Sequence, residues 1–100
     1  MTKAALKSSR NFSINQVGAV PLREIGKFVK VANHFAANVA VSCGGSRANG
    51  KNLFEVAELP LRGRQDVIVS AFGADAQECV ETLGKVINDW ASLREFEVCL

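Results

Sequence analysis

The sequence predicts an α+β fold in which three helices cover one face of a four-stranded antiparallel sheet. Two apolar stripes recur at helical spacing, one after Arg23 and one after Asp75. Short alternating or β-branched runs lie between and before them. Gly and Pro punctuate the chain so that the order reads strand, helix, strand, strand, short helix, strand, helix. That order suits helices layered on one side of an antiparallel sheet.

Arg10-Asn11-Phe12-Ser13-Ile14-Asn15 alternates, with Phe12 and Ile14 on the side expected to face a core, and reads as a half-buried strand. Gly18 and Pro21 then mark a loop. Ile25, Phe28, Val29, Ala32, Phe35 and Ala36 form the stripe of the first helix, and Arg23, Glu24, Lys27, Lys30 and Asn33 fall mostly on its other face. Asn38 to Cys43 returns to period two, and Gly44-Gly45 supplies a hairpin turn whose residues need positive φ. Ser46 to Ala48 is its short partner strand.

Asn52 is a good N-cap for a short helix from Leu53 to Leu59, which Pro60 stops. Leu61 to Gln65 reads as a loop and Asp66 to Phe72 as a strand. Asp75 and Glu78 have capping-box spacing before a long stripe of Ala76, Cys79, Val80, Leu83, Ile87 and Trp90. Gly84 lies inside that helix at a cost of about 1 kcal/mol against Ala. The final ten residues alternate weakly, so they can add an edge strand or remain loose. These readings divide the chain into a flexible arm at 1–9, a domain at 10–90 and a C-terminal extension at 91–100.

One hundred residues suffice for one small domain, and 48% hydrophobic with 22% charged residues is ordinary globular composition. The formal charge of +2 argues against a strongly basic nucleic-acid binder. No apolar run reaches the ~20 residues that span a bilayer, and the first ten residues lack the apolar core of a signal peptide. Cys43, Cys79 and Cys99 are widely spaced and odd in number, which disfavours both a disulfide framework and a zinc site. Cytoplasmic placement is expected, with neither cofactor nor metal. Cys43 and Cys79 fit small buried hydrophobes, whereas Cys99 lies near the terminus. His34, the single histidine, fits a solvated surface residue. No catalytic triad or paired carboxylates stand out, so independent catalysis is not expected.

Lys27-Phe28-Val29-Lys30, Asn49-Gly50-Lys51-Asn52-Leu53-Phe54 and Ser70-Ala71-Phe72-Gly73-Ala74-Asp75-Ala76, in this order of elements, resemble the HPr family. These are the histidine-containing phosphocarriers of the bacterial sugar phosphotransferase system. The resemblance runs from about Asn11 to Trp90 and implies an open-faced β-sandwich, βαββαβα. The family's active loop reads roughly Gly-Leu-His-x-Arg-Pro-Ala, against Ala19-Val20-Pro21-Leu22-Arg23-Glu24-Ile25 here. On this alignment Pro21 takes the place of the phosphoaccepting histidine, Arg23 keeps the arginine and Glu24 replaces a proline. The family's regulatory serine falls at Asn52.

A phosphocarrier needs a nucleophilic imidazole at a helix N-terminus, where free N–H groups and the dipole stabilise the phosphoryl group. Proline offers neither nucleophile nor N–H. Glu24 puts an anion in the first turn, where it can pair with Arg23 and repel phosphate. The resemblance therefore implies a relative without the usual phosphorylation sites, acting through protein binding. Its partner would be an Enzyme I-like protein, a kinase or a transcription regulator, and neither nucleic acid nor membrane. Arg23, Lys27, Lys51, Leu53 and Phe54 are the expected binding residues, an apolar pair rimmed by cations. Two alternatives stand beside this: a phosphocarrier using His34 or a serine, and a small-molecule module built on the first helix N-terminus and Arg23.

Overall fold

The computed structural model describes residues 7–16 and 20–98. Strand β1 (Lys7–Gln16) leads to helix α1 (Leu22–Ala32), the hairpin of β2 (Asn38–Cys43) and β3 (Ser46–Asn49), short helix α2 (Leu53–Ala57), β4 (Gly63–Phe72) and helix α3 (Ala76–Val98). All strand pairs are antiparallel and their spatial order is β1-β4-β2-β3. The order βαββαβα and the helix-covered sheet agree with the expected fold class.

Alternation decides which face of the sheet is covered. Val67, Val69 and Ala71 of β4 are fully buried beneath the helices, together with Val39, Val41 and Cys43 of β2. The intervening Asp66, Ile68 and Phe72 are exposed on the open face. Phe28 of α1 and Trp90 of α3 meet over the core with ring centroids 6.1 Å apart. Gly44 and Gly45 carry the hairpin with φ of 59° and 86°, as a turn with two left-handed residues requires.

Several boundaries differ from expectation. β1 begins at Lys7, so Lys7, Ser8 and Ser9 of the expected arm pair with Phe72, Ala71 and Ser70. β4 begins at Gly63 and takes in Arg64 and Gln65, because Ile14, Asn15 and Gln16 supply partners there. α2 ends at Ala57, short of Leu59, and Leu59 and Leu61 turn into the core instead. α1 ends at Ala32, before Phe35 and Ala36: His34 N and Phe35 N donate only three residues back, to Val31 O and Ala32 O, and Asn33 Nδ2 donates to Val29 O (2.9 Å) in the last turn.

The weakly alternating segment after Trp90 continues α3 to Val98 rather than forming an edge strand. It contains neither Gly nor Pro to stop a helix already under way. Cys99 and Leu100 lie outside the described residues.

Gly84 has a packing reason. A Cβ built there would lie 2.7 Å from the Phe12 ring, so the absent side chain is where β1 and α3 meet.

Candidate functional site

Pro21 is the N-cap of α1, with φ −59° and ψ 143°, and no side chain caps the helix. The N–H groups of Glu24 and Ile25 donate to Pro21 O at 2.9 and 3.1 Å. Val20 N donates to Leu61 O (3.2 Å), which ties this entry segment to the approach to β4. Between them, Val20, Ile25, Ala57, Leu59, Pro60 and Leu61 line a recess of about 440 Å³.

Glu24 departs from its expected solvated face. It is only 4% exposed. The reason is its spacing: Glu24 lies one turn, four residues, before Phe28 and shares that residue's inward side. Lys27 Nζ reaches Glu24 Oε1 at 3.4 Å and Arg23 Nε reaches Oε2 at 3.9 Å. The expected Arg23–Glu24 pair is therefore present, with Lys27 the closer partner. An acid in the first turn also interacts favourably with the positive end of the helix dipole.

The other expected binding residues gather at the opposite end of α1. Asn33 Nδ2 donates to Lys51 O (3.3 Å), and Lys51 Nζ donates to Phe35 O at 2.7 Å. The Lys51 ammonium is thus spent on the turn after α1, a use that charge pattern alone does not reveal. Asn52 caps α2 as expected, its Oδ1 accepting from Phe54 N (3.0 Å) and Glu55 N (3.2 Å). Phe54 is 78% exposed, while Leu53 is half-buried against the core. The five expected binding residues therefore fall into two groups, Arg23 and Lys27 at the end of α1 that Pro21 caps and Lys51, Leu53 and Phe54 near the other.

Asp75 does not form the expected reciprocal capping box. Its Oδ2 accepts from Ala36 N and its Oδ1 from Ala37 N, both at 2.9 Å. The α1–β2 connection is thereby held between Asp75 and Lys51. These backbone donors, Ala36 N first, lower the Asp75 pKa. Burial pushes the Cys43 thiol up, with a further rise from the Asp66 carboxylate. Cys79 is raised the same way, by burial and then by Asp75. Neither thiol is set up as a nucleophile. His34 is exposed just beyond the end of α1, away from the α1 N-terminus.

Among the described residues, no group of three or more His, Cys, Asp or Glu side chains is placed to hold a metal ion. No described helix is long and apolar enough to cross a membrane.

Comparison with known proteins places this arrangement. Residues 8–89 match the family described as "PTS HPr component phosphorylation site". The chain is 30% identical to the phosphocarrier protein HPr of Buchnera aphidicola over 80 residues, covering 80% of this chain and 94% of that protein. It is 33% identical to the HPr of Haemophilus influenzae over 79 residues, covering 79% of this chain and 93% of the relative. The crystal structure of HPr-C-His from Thermoanaerobacter tengcongensis superposes with a TM-score of 0.75 at 21% identity, over 85% of this chain and 96% of that one.

The fold is thus that of the small phosphocarrier domains with a β1-β4-β2-β3 sheet under three helices. The chain belongs to the HPr family of the phosphotransferase system.

Proposed function

We propose that this HPr-family protein does not accept a phosphoryl group at the α1 N-terminus and works by binding a protein partner. The observation that carries this reading is the buried Glu24 carboxylate, neutralised by Lys27 and Arg23 in the turn that follows Pro21. An incoming phosphate would meet a fixed anion where a carrier needs unengaged positive charge. Pro21 brings no nucleophilic atom, and Asn52 brings capping without a hydroxyl.

Partner binding on the helical side is supported by Leu22, 60% exposed beside Arg23 and Lys27 at the α1 N-terminus, and by Phe54, 78% exposed near the other end of α1. Aromatic and arginine residues of this kind are the usual anchors of protein interfaces. Enzyme I-like proteins, kinases and transcription regulators are the partner classes that suit a family member with altered phosphorylation positions.

The test is intact-mass spectrometry after incubation with Enzyme I and phosphoenolpyruvate, beside an ordinary HPr as control. An unchanged mass with a phosphorylated control is expected. A gain of one phosphoryl group would overturn the reading, and its loss on H34A would assign the acceptor to His34.

A further inference from the structure

Four large hydrophobic side chains are exposed among the described residues, and they fall on two different faces. Leu22 and Phe54 belong to the helical side discussed above. Ile68 (41%) and Phe72 (44%) stand on the open face of the sheet, which the proposed function leaves unused.

The strand registers give that face its relief. Ser9, Ser70, Ala40 and Asn49 lie in one cross-strand row, since Ser9 pairs with Ser70, Ser70 with Ala40, and Ala40 with Asn49. This row is low: Ser9 and Ser70 join their hydroxyls at 3.0 Å, and Ala40 adds only a methyl group. On one side stands the row of Asn11, Ile68, Ser42 and Arg47, and on the other the row of Lys7, Phe72 and Asn38. Ile68 and Phe72 therefore flank a furrow across the strands, with their Cα atoms about 13 Å apart. Near β3 the surface dips into a shallow depression of about 520 Å³ lined by Asn38, Ala40, Arg47, Asn49 and Glu55, among others.

Charge selects the occupant. Among the described residues, the open face carries Lys7, Arg47 and Arg64 against one carboxylate, Asp66. Asp66 already accepts from Ser13 Oγ at 3.1 Å. Glu55, at the margin of the depression, is engaged by Asn49 N at 2.8 Å. Lys7 lies 5.4 Å from the Phe72 ring centroid, so one cation stands directly beside an apolar anchor. Among the described residues, neither Arg47 nor Arg64 forms an ion pair. Four strands span about 19 Å, which a stretched segment of some six residues crosses.

We propose that this furrow is a second docking surface, which receives an extended acidic segment of a partner protein with an apolar residue seated between Ile68 and Phe72. Acidic side chains flanking that residue reach Lys7 at one end and Arg47 at the other. Such complementarity steers the encounter, while the apolar contacts hold the complex.

The experiment is an amide-resolved NMR titration of the ¹⁵N-labelled full chain. The probes are an acidic hexapeptide with a central Leu-Phe pair, its lysine-substituted counterpart, and a single-stranded oligothymidylate. The acidic peptide alone is expected to move the amides of Ser9, Ala40, Ile68 and Ser70, with affinity falling as salt is raised. I68S and R47E are each expected to weaken it by roughly tenfold or more. Both positions are exposed, and an unchanged melting curve for either variant keeps the comparison valid; K7E replaces a variant that fails to fold. The proposal is overturned if those amides do not move, or if the acidic peptide binds only at α1 and α2. It is equally overturned if the lysine peptide or the oligonucleotide binds the furrow instead, or if the same amides shift with protein concentration alone, which would assign the face to a second copy.

Discussion

At the scale of single residues, Glu24 and Gly84 show how a rule of thumb yields to packing. Glycine within a helix normally loses stability to alanine by about 1 kcal/mol. At Gly84 a methyl group would lie within 3 Å of the far end of the Phe12 ring, so the helix gain is set against the cost of moving that ring. We expect G84A to destabilise the protein by about 1–3 kcal/mol in urea unfolding, with F12A/G84A recovering part of the cost of G84A relative to F12A. Gly84 is visible in the sequence only as an anomaly, since its partner belongs to another element, β1. Glu24 is different, because its four-residue spacing from Phe28 already places it on the inward stripe. Its polar type conceals that placement. A matching prediction concerns chemistry: P21H alone is expected to accept phosphate poorly from Enzyme I, and P21H/E24A to accept it faster. Equal labelling rates would show that the Glu24 carboxylate does not hinder the α1 N-terminus.

At the scale of elements, the apolar periods were enough to place every strand and helix in order, because each element pays for its backbone with one buried face. What escaped were the ends and the tethers. β1 and β4 extend past their apolar alternation because each gives the other hydrogen-bond partners, a fact that neither strand contains alone. Asn52 was legible as a cap since capping is local, and α2, at five residues, depends on it. N52A is expected to cost about 1 kcal/mol, and N52S to keep most of that stability. The spacing of Asp75 and Glu78 predicts a local cap, whereas the Asp75 carboxylate reaches back to Ala36 and Ala37. Its folded pKa is lowered, so its contribution is complete above the unfolded value near pH 4 and disappears as pH falls through the folded value. Acid unfolding of the wild type should therefore lose stability over that interval more steeply than that of D75N. Superimposable pH profiles would remove the tether from the account.

At the scale of the whole molecule, one apolar layer between sheet and helices encloses both described cysteines. Cys43 and Cys79 have raised pKa values, so an aromatic disulfide reagent at neutral pH is expected to leave both unmodified in the native protein and to label them at once in denaturant. Rapid native labelling of either would mean that the layer opens on the timescale of the reaction. The order β1-β4-β2-β3 has another consequence, which concerns synthesis. Strand β1 finds its partner only when residues 63–72 have followed it from the ribosome, whereas β2 and β3 close on each other at once. A nascent chain therefore carries β1 unpaired until β4 has been made, and the short β2–β3 hairpin must wait for a sheet to join. Such distant pairing slows folding. It also makes residues 63–72 the piece on which two registers wait, that of β1 and that of the β2–β3 hairpin.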